Sequence, residues 1–292
     1  MTGIINVNKP SGWTSQDVVA KLRGILREKR IGHGGTLDPM ATGVLPVFIG
    51  RATRAVQFFE SADKEYIAGL RLGITTDTQD TTGTVLSQCE ANISHEELEA
   101  ALSAFRGEQL QTPPMYSAVK VGGKKLYEIA RRGGEIERAA RKIVVSAADI
   151  IGGGVSDFTV RFEVSKGTYI RTLCADVGDK LGVGGVMSSL VRTRAGVFSL
   201  EHSYTLEQIA EAMNNGGPVD ILLPVDSVFA HLPFLTANAV QEYAIRNGQP
   251  VSFTAPADGR YRIYASDGGF FALAEVISGR TKILKSFFEV LV

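Results

Sequence analysis

One short stretch concentrates the residue types that could do chemistry: Gly32-His33-Gly34-Gly35-Thr36-Leu37-Asp38-Pro39-Met40-Ala41-Thr42-Gly43. Glycines let a backbone approach a ligand closely and take positive φ, and a carboxylate set among them has no helix or strand role to account for it. Asp38 is therefore a candidate catalytic carboxylate. An Asp-Pro turn closed by the same side chain accounts for these residue types too, and spacing alone does not choose between the two. His33 is either a neutral turn histidine or a flat ring carried on a flexible loop. Cys89 and Cys174 lie far apart without CxxC spacing and only four histidines accompany them, so neither a zinc site nor a disulfide framework is expected.

Several elements must hold this stretch in place. Gly3 to Val7 reads as a short strand, and Lys9-Pro10-Ser11-Gly12 breaks it. Apolar Val18, Val19, Leu22, Ile25 and Leu26 then recur at helical spacing behind the caps Thr14 and Ser15, with Asp17 in the first turn. The outer face of that helix is basic: Lys21, Arg23, Arg27, Lys29 and Arg30. Residues Ile31 to Gly43, with four glycines and one proline among thirteen positions, are expected to form a structured loop with no regular element. Lys64 to Leu72 reads as a strand, and Ser94 to Phe105 as a helix with a capping box at Ser94 and Glu97 and a stop at Gly107. Phe158 to Val164 alternates as a strand does. Thr168 to Leu181 is expected to pass from strand into a helix ended by Gly182, which would put Tyr169 and Arg171 on one strand face.

Lys plus Arg and Asp plus Glu both number 31, so there is no global positive excess and any nucleic-acid footprint must be local. Thr112 to Lys142 is such a place. It holds Lys120, Lys124, Lys125, Arg131, Arg132, Arg138, Arg141 and Lys142 against three acids, and reads as an inserted basic arm. Past about residue 231 short β-like runs follow, Val251 to Phe253, Tyr261 to Tyr264, Phe270 to Val276 and Lys282 to Leu284, and these predict a small β-rich domain. No run reaches the roughly 18 apolar residues of a membrane span, and the N-terminus lacks the pattern of a signal peptide, so a cytoplasmic protein is expected.

The run GHGGTLDPMATGVLPVFIGRATR resembles the catalytic motif of the TruB-type pseudouridine synthases, and GIINVNKPSGWTSQDVV resembles the motif that precedes it there. KEYIAGLRLGITTDTQDTTG, QTPPMYSAVKVGGKKLYEIARRG, GTYIRTLCADVGDKLG and LVRTRAGVF agree in the expected order, so the resemblance spans residues 3 to about 210. It implies an α+β pseudouridine-synthase fold with a mixed, mostly antiparallel sheet and a small C-terminal PUA-like β domain. The expected division is a catalytic domain over 1–230, with an RNA-gripping insertion at about 112–142, and a PUA-like RNA-binding domain over 231–292.

By the same resemblance, Asp38 is the nucleophile that attacks ribose C1′ or uracil C6, Arg171 pairs with it, and Tyr66 stacks on the target base and takes part in proton removal. His33 fills the place of the flipped base, Lys9 and Pro10 support the catalytic loop, and Tyr169 and Leu190 line the pocket. Read from residue types alone, Tyr66 is more often core, Leu190 is equally plain packing, and Lys9 is a phosphate contact or a solvated charge. The implied activity is isomerisation of uridine-55 in the TΨC arm of tRNA, by a monomer, with no cofactor and no metal. A side-chain carboxylate can form the covalent intermediate alone. An RNA-binding or tRNA-folding protein without catalysis is the alternative. An N-glycosidase is a third reading, for which no second catalytic carboxylate is evident.

Overall fold

The computed structural model describes residues 1–288. Strand β1 (Gly3–Lys9) leads into helix α1 (Ser15–Leu26), which starts where Thr14 and Asp17 cap each other's backbone amides in a capping box. A short strand β2 (Ile31–His33) and a longer β3 (Thr42–Ile49) follow. The loop expected over residues 31–43 is therefore shorter. Ile31, Gly32 and His33 pair antiparallel with Ile49, Phe48 and Val47, because an irregular backbone beside a buried strand would leave that strand's amides unmet. Pro46 is tolerated inside β3 because it lies past the end of that pairing, where its carbonyl accepts from Gly34 N at 2.8 Å.

A 3₁₀ turn (Gly50–Ala55) and one-turn helix α2 (Val56–Phe59) lead to β4 (Lys64–Leu72), then the hairpin β5 (Ile74–Thr76) and β6 (Val85–Gln88). Helix α3 (His95–Ser103) has the expected Ser94–Glu97 box. Beyond β7 (Gly107–Gln111), the basic segment folds into the hairpin β8 (Lys120–Val121) and β9 (Lys124–Lys125) and the short α4 (Leu126–Ala130). Arg141 and Lys142 do not belong to that arm. They open β10 (Arg141–Gly154), paired with Gln111 and Leu110 of β7, and β11 (Asp157–Val164) follows.

Helix α5 (Ile170–Lys180) has no strand before it: Tyr169 is its N-cap and Arg171 lies in its first turn, so the shared strand face expected for these two does not exist. Tyr169 N–H and C=O both bond the buried Gln111 side chain, at 2.8 and 3.0 Å, which replaces the strand ladder. The helix stops as expected, with Gly182 at φ +76° just beyond it. Strand β12 (Gly185–Ala195), β13 (Phe198–Ser199) and α6 (Leu206–Asn214) complete the first body.

Its sheet runs β1-β3-β12-β4-β11-β10-β7, with β2 beside β3 and β13 beside β12. Every pairing is antiparallel except β12 with β3, which is parallel at Val191–Thr42 and Arg192–Gly43. The fold is thus α+β on a mixed, mostly antiparallel sheet. The apolar side chains of β4, β10, β11 and β12 pack with Leu98 and Leu102 of α3 and Leu173 and Val177 of α5. A second cluster joins β1 and β3 to Val18, Val19, Leu22 and Leu26 of α1 and to Leu206 and Ile209 of α6.

A separate four-stranded sheet follows: β14 (Phe234–Thr236), β15 (Gly259–Tyr264), β16 (Phe270–Ile277) and β17 (Arg280–Ser286), in that order. Residues 251–253 are not a strand, and helix α7 (Ala239–Arg246), which the sequence reading did not anticipate, packs Ile245 against this sheet. Phe48, Phe59, Phe198, Phe229, Leu273 and Phe287 form the apolar seam that holds it to the first body. Beside that seam is a cavity of about 390 Å³, lined in part by Phe58, Arg194, His231 and Arg260. No helix among the described residues is long and apolar enough to cross a membrane.

The position of α5 depends on one close approach. A Cβ on Gly178 would lie 2.2 Å from the backbone of Gly184 and Gly185. Gly to Ala inside a helix ordinarily stabilises by up to about 1 kcal/mol. Here overpacking reverses the sign, and Gly178→Ala is expected to destabilise by about 1–3 kcal/mol, read as a lower urea midpoint at unchanged m-value.

Candidate active site

The loop 34–41 is held from beneath by three buried polar side chains. Ser15 Oγ, at the start of α1, accepts from Leu37 N at 2.9 Å and donates to Leu37 O at 3.3 Å. Lys9 is fully buried at the end of β1, and its Nζ donates to the carbonyls of Trp13 (2.6 Å), Pro10 (2.8 Å) and Pro39 (3.2 Å). Burial is the main cause that lowers the Lys9 pKa to about 8, with nearby Arg192 adding to it and Asp38 opposing it. At neutral pH the ammonium keeps its three donors, so Lys9 is neither a solvated charge nor a phosphate contact here. It ties the β1 turn to the loop.

Arg192 completes the support. It is 1% exposed, and its guanidinium donates to Val44 O (2.6 Å) and Gly35 O (3.1 Å). The strand that carries it crosses Gly43 so closely that a Cβ there would sit 2.3 Å from Arg192 O, and Gly43 has φ +97°. Only glycine fits this crossing, which is where β3 and β12 pair in parallel.

Asp38 projects from this loop with its side chain 36% exposed, against 5% for Arg171. Arg171 Nε lies 2.9 Å from Asp38 Oδ2, and its Nη2 donates to Asp38 Oδ1 at 3.3 Å, a two-pronged pair that fixes the plane of the carboxylate. The remaining donors of Arg171 go to Thr78 O (3.1 Å) and Tyr116 O (2.9 Å), and Asp80 Oδ2 stands 3.7 Å from Nη1. Asp80 is itself buried and bound by Thr78 Oγ1, Thr82 N and Thr82 Oγ1 at 2.6–2.9 Å.

Tyr66 on β4 and Leu190 on β12 belong to one buried cluster with Leu37 and Ala41, the residues that flank Asp38 in its loop. Tyr169 is half-buried at the head of α5, two residues before Arg171. Asp38, Arg171, Tyr66, Leu190 and Tyr169 thus come from four segments: the loop before β3, the head of α5, β4 and β12. His33 sits on β2 at the other side of the loop, 3.4 Å from Gln16 Nε2. Burial, then Arg192, lowers its pKa below the usual imidazole value, so its ring is neutral at pH 7. Among the described residues no group of three or more His, Cys, Asp and Glu stands close enough to hold a metal ion.

Four residues that matter here were missed as site residues. Asp80, Gln111, Ser15 and Arg192 act on backbone or on another side chain, contacts that residue type and spacing do not reveal.

Residues 23–170 match the TruB family pseudouridylate synthase N-terminal domain, residues 171–230 the tRNA pseudouridylate synthase B C-terminal domain, and residues 233–282 the pseudouridine synthase II TruB C-terminal domain. The chain belongs to the TruB family. Among its relatives, tRNA pseudouridine synthase B of Syntrophomonas wolfei is 43% identical over 281 residues, covering 94% of this chain and 93% of that protein. The protein of the same name from Heliobacterium modesticaldum is 47% identical over 252 residues, covering 85% and 81%. The TruB-family fold is also that of a Cbf5-Nop10-Gar1 complex, at TM-score 0.77 and 28% identity over 98% of this chain and 85% of that one. An H/ACA RNP bound to a substrate RNA containing 2′-deoxyuridine has a chain similar at TM-score 0.76 and 25% identity, covering 98% and 85%.

The two halves of the Asp38–Arg171 pair differ in what they do for stability. Arg171→Met leaves buried Asp80 without its cation and two carbonyls without donors, and is expected to cost about 3–5 kcal/mol in urea unfolding. Asp38→Asn removes a partly solvated charge and is expected to cost under about 1 kcal/mol, since Arg171 keeps Asp80 and both carbonyls.

Proposed function

We propose that this TruB-family chain is a tRNA pseudouridine synthase that converts uridine-55 of the TΨC arm to pseudouridine, with Asp38 as nucleophile. The observation that carries this reading is the oriented Asp38 carboxylate on buried Arg171, in a loop whose flanking residues pack with Tyr66 and Leu190. The names of the relatives support the substrate class. In the proposed reaction the N1–C1′ bond breaks, the uracil turns, a C5–C1′ bond forms, and the C5 proton leaves while N1 gains one, so product and substrate are isomers. Asp38 attacks either C1′ or C6. Covalent capture by a carboxylate splits the bond exchange into two steps, and the base must first leave its stack to reach the pocket.

In this reading Tyr66 stacks on the extruded uracil and accepts the C5 proton, Tyr169 and Leu190 wall the pocket, and the neutral ring of His33 fills the vacated place in the RNA. Lys9 holds the catalytic loop. Residues 1–230 form the catalytic domain, whose basic segment 112–140 grips the arm through phosphates, and residues 231–292 form a PUA-like RNA-binding domain. The protein acts as a monomer in the cytoplasm, with tRNA as its partner.

The test is tritium release from tRNA transcripts labelled at uridine C5, in EDTA. Wild type is expected to release tritium and Asp38→Asn to release none, with tRNA affinity retained because removing a carboxylate does not weaken a grip on a polyanion. No release by wild type from any tRNA, with binding intact, would replace this reading by an RNA-binding protein without catalysis, and free uracil as product would favour a glycosidase.

Tyr66→Phe separates the two roles of that ring. It is expected to leave tRNA affinity within about twofold, since the stacking face remains, and to slow tritium release by roughly 10²–10⁴-fold if the hydroxyl is the proton acceptor. Unaltered release would assign the proton to another group.

A further inference from the structure

Helix α1 carries an exposed surface that the catalytic reading leaves unused. Its buried stripe is Ser15, Val18, Val19, Leu22 and Leu26. Along one flank of that stripe the exposed Gln16, Ala20, Arg23 and Arg27 recur at i, i+4, i+7 and i+11, so they form one line along the helix, and Arg30 follows in the turn beyond it. The twelve residues span about 18 Å.

Three observations give this line a function. Among the described residues its guanidiniums have no ion-pair partner: Arg23 Nη2 donates to Ile31 O at 3.4 Å, and the one carboxylate at that end, Glu28, accepts from Arg30 N at 2.9 Å. Asp17 is consumed by the capping box, Glu28 lies 3.6 Å from the Met1 ammonium, and Lys21 points to the other flank, toward Glu207 of α6. Among the described residues no carboxylate stands within ion-pair distance of Arg23, Arg27, Lys29 or Arg30. The middle of the line is bare: Ala20 is exposed, and beside it Gly24 has open space around its Cα, so a rigid backbone can lie close between the arginines. The end is strained. Arg27 caps the helix at φ +51°, a left-handed conformation in which glycine is ordinarily found, and strain retained for a charged residue points to use of that charge.

The line also connects two surfaces. It begins at Gln16, beside His33. It ends at Arg30, whose carbonyl accepts from Gly50 N at 2.7 Å, at the start of the 3₁₀ turn whose Arg54 donates to Ser286 O (2.9 Å) on the C-terminal sheet. The basic segment 112–140 is attached at the far edge of the sheet, between β7 and β10, six strand spacings or about 29 Å from β1, and its Tyr116 reaches back to Arg171. The two basic surfaces therefore flank Asp38 from opposite sides.

We propose that the line Gln16, Ala20, Arg23, Arg27 and Arg30 binds the phosphodiester backbone of tRNA where it continues past the TΨC hairpin toward the acceptor stem. This rests on the reading of tRNA as the substrate. A regular row of guanidiniums about two helical turns long matches a row of phosphates and carries no sequence information, so it lengthens the grip without narrowing the choice of tRNA.

The experiment compares two RNAs, an isolated TΨC hairpin and a minihelix in which that hairpin is stacked on an acceptor stem, with wild type, Arg23→Gln/Arg27→Gln and Arg23→Lys/Arg27→Lys. For the minihelix, the glutamine variant is expected to bind more weakly and to reduce the slope of log K against log salt by about two, one per lost phosphate contact. Its affinity and tritium release on the hairpin should equal wild type, and the lysine variant should restore minihelix binding. Equal losses on both RNAs, or no loss on either, would overturn the proposal, as would a lysine variant no better than glutamine. Failure of the catalytic reading is distinguishable, because wild type would then release no tritium from either RNA while the binding comparison still stands.

Discussion

A guanidinium cannot be taken out of water unless acceptors meet it on every side, and Arg171, 5% exposed, imposes that demand on the whole site. Asp38 reaches it from the loop after β2, Thr78 and Asp80 from the β5–β6 turn, and Tyr116 from the segment after β7. Each of these pieces is irregular backbone with little of its own to hold it. The buried charge gives them a common fixed point, and the helix that carries it is rigid and is packed on Gly184 and Gly185 through Gly178. The same arrangement leaves one of the two facing carboxylates buried and the other open. Asp80 is saturated by threonine and backbone donors, whereas Asp38 has a face free for a substrate.

Rigidity on the other side of the loop comes from Lys9, Ser15 and Arg192, whose polar atoms bond loop and turn backbone. Such contacts rely on backbone carbonyls and amides, which every residue possesses, so a catalytic loop rich in glycine can be held without side chains of its own. Lys9 shows the cost of the arrangement. Burial lowers its pKa to about 8, close to the pH at which the ammonium would lose a proton and the loop one of its ties.

Electrostatics toward RNA are organised differently from electrostatics within the site. The chain has no formal net charge, so its positive charge is local, and the surfaces proposed to meet the polyanion are the segment 112–140 at one edge of the sheet and the outer face of α1 near the other. The apolar seam of Phe59, Phe198, Phe229 and Phe287 attaches the C-terminal sheet to the side where α1 ends. A basic surface can be spread over separate elements in this way because phosphate contacts are long-ranged and tolerant in geometry, unlike the Asp38 pair.

Local patterns were enough for much of this. The cap at Thr14, the capping box at Ser94, the amphipathic stripe of α1, the alternation in β4 and β11 and the stop at Gly182 depend on residues within one turn or one strand of each other, and all are where the sequence placed them. The resemblance of long motifs identified Asp38 and Arg171 as a pair before any distance was known. What the sequence did not determine was everything decided by a neighbour distant along the chain. Residues 31–33 are a strand only because β3 lies beside them, and Tyr169 begins a helix because Gln111, 58 residues earlier, satisfies its backbone. Arg141 and Lys142 join β10 because β7 offers an edge. Lys9, Asp80 and Arg192 look like surface charges until the fold encloses them, since a charged residue is buried only where acceptors from other segments converge on it.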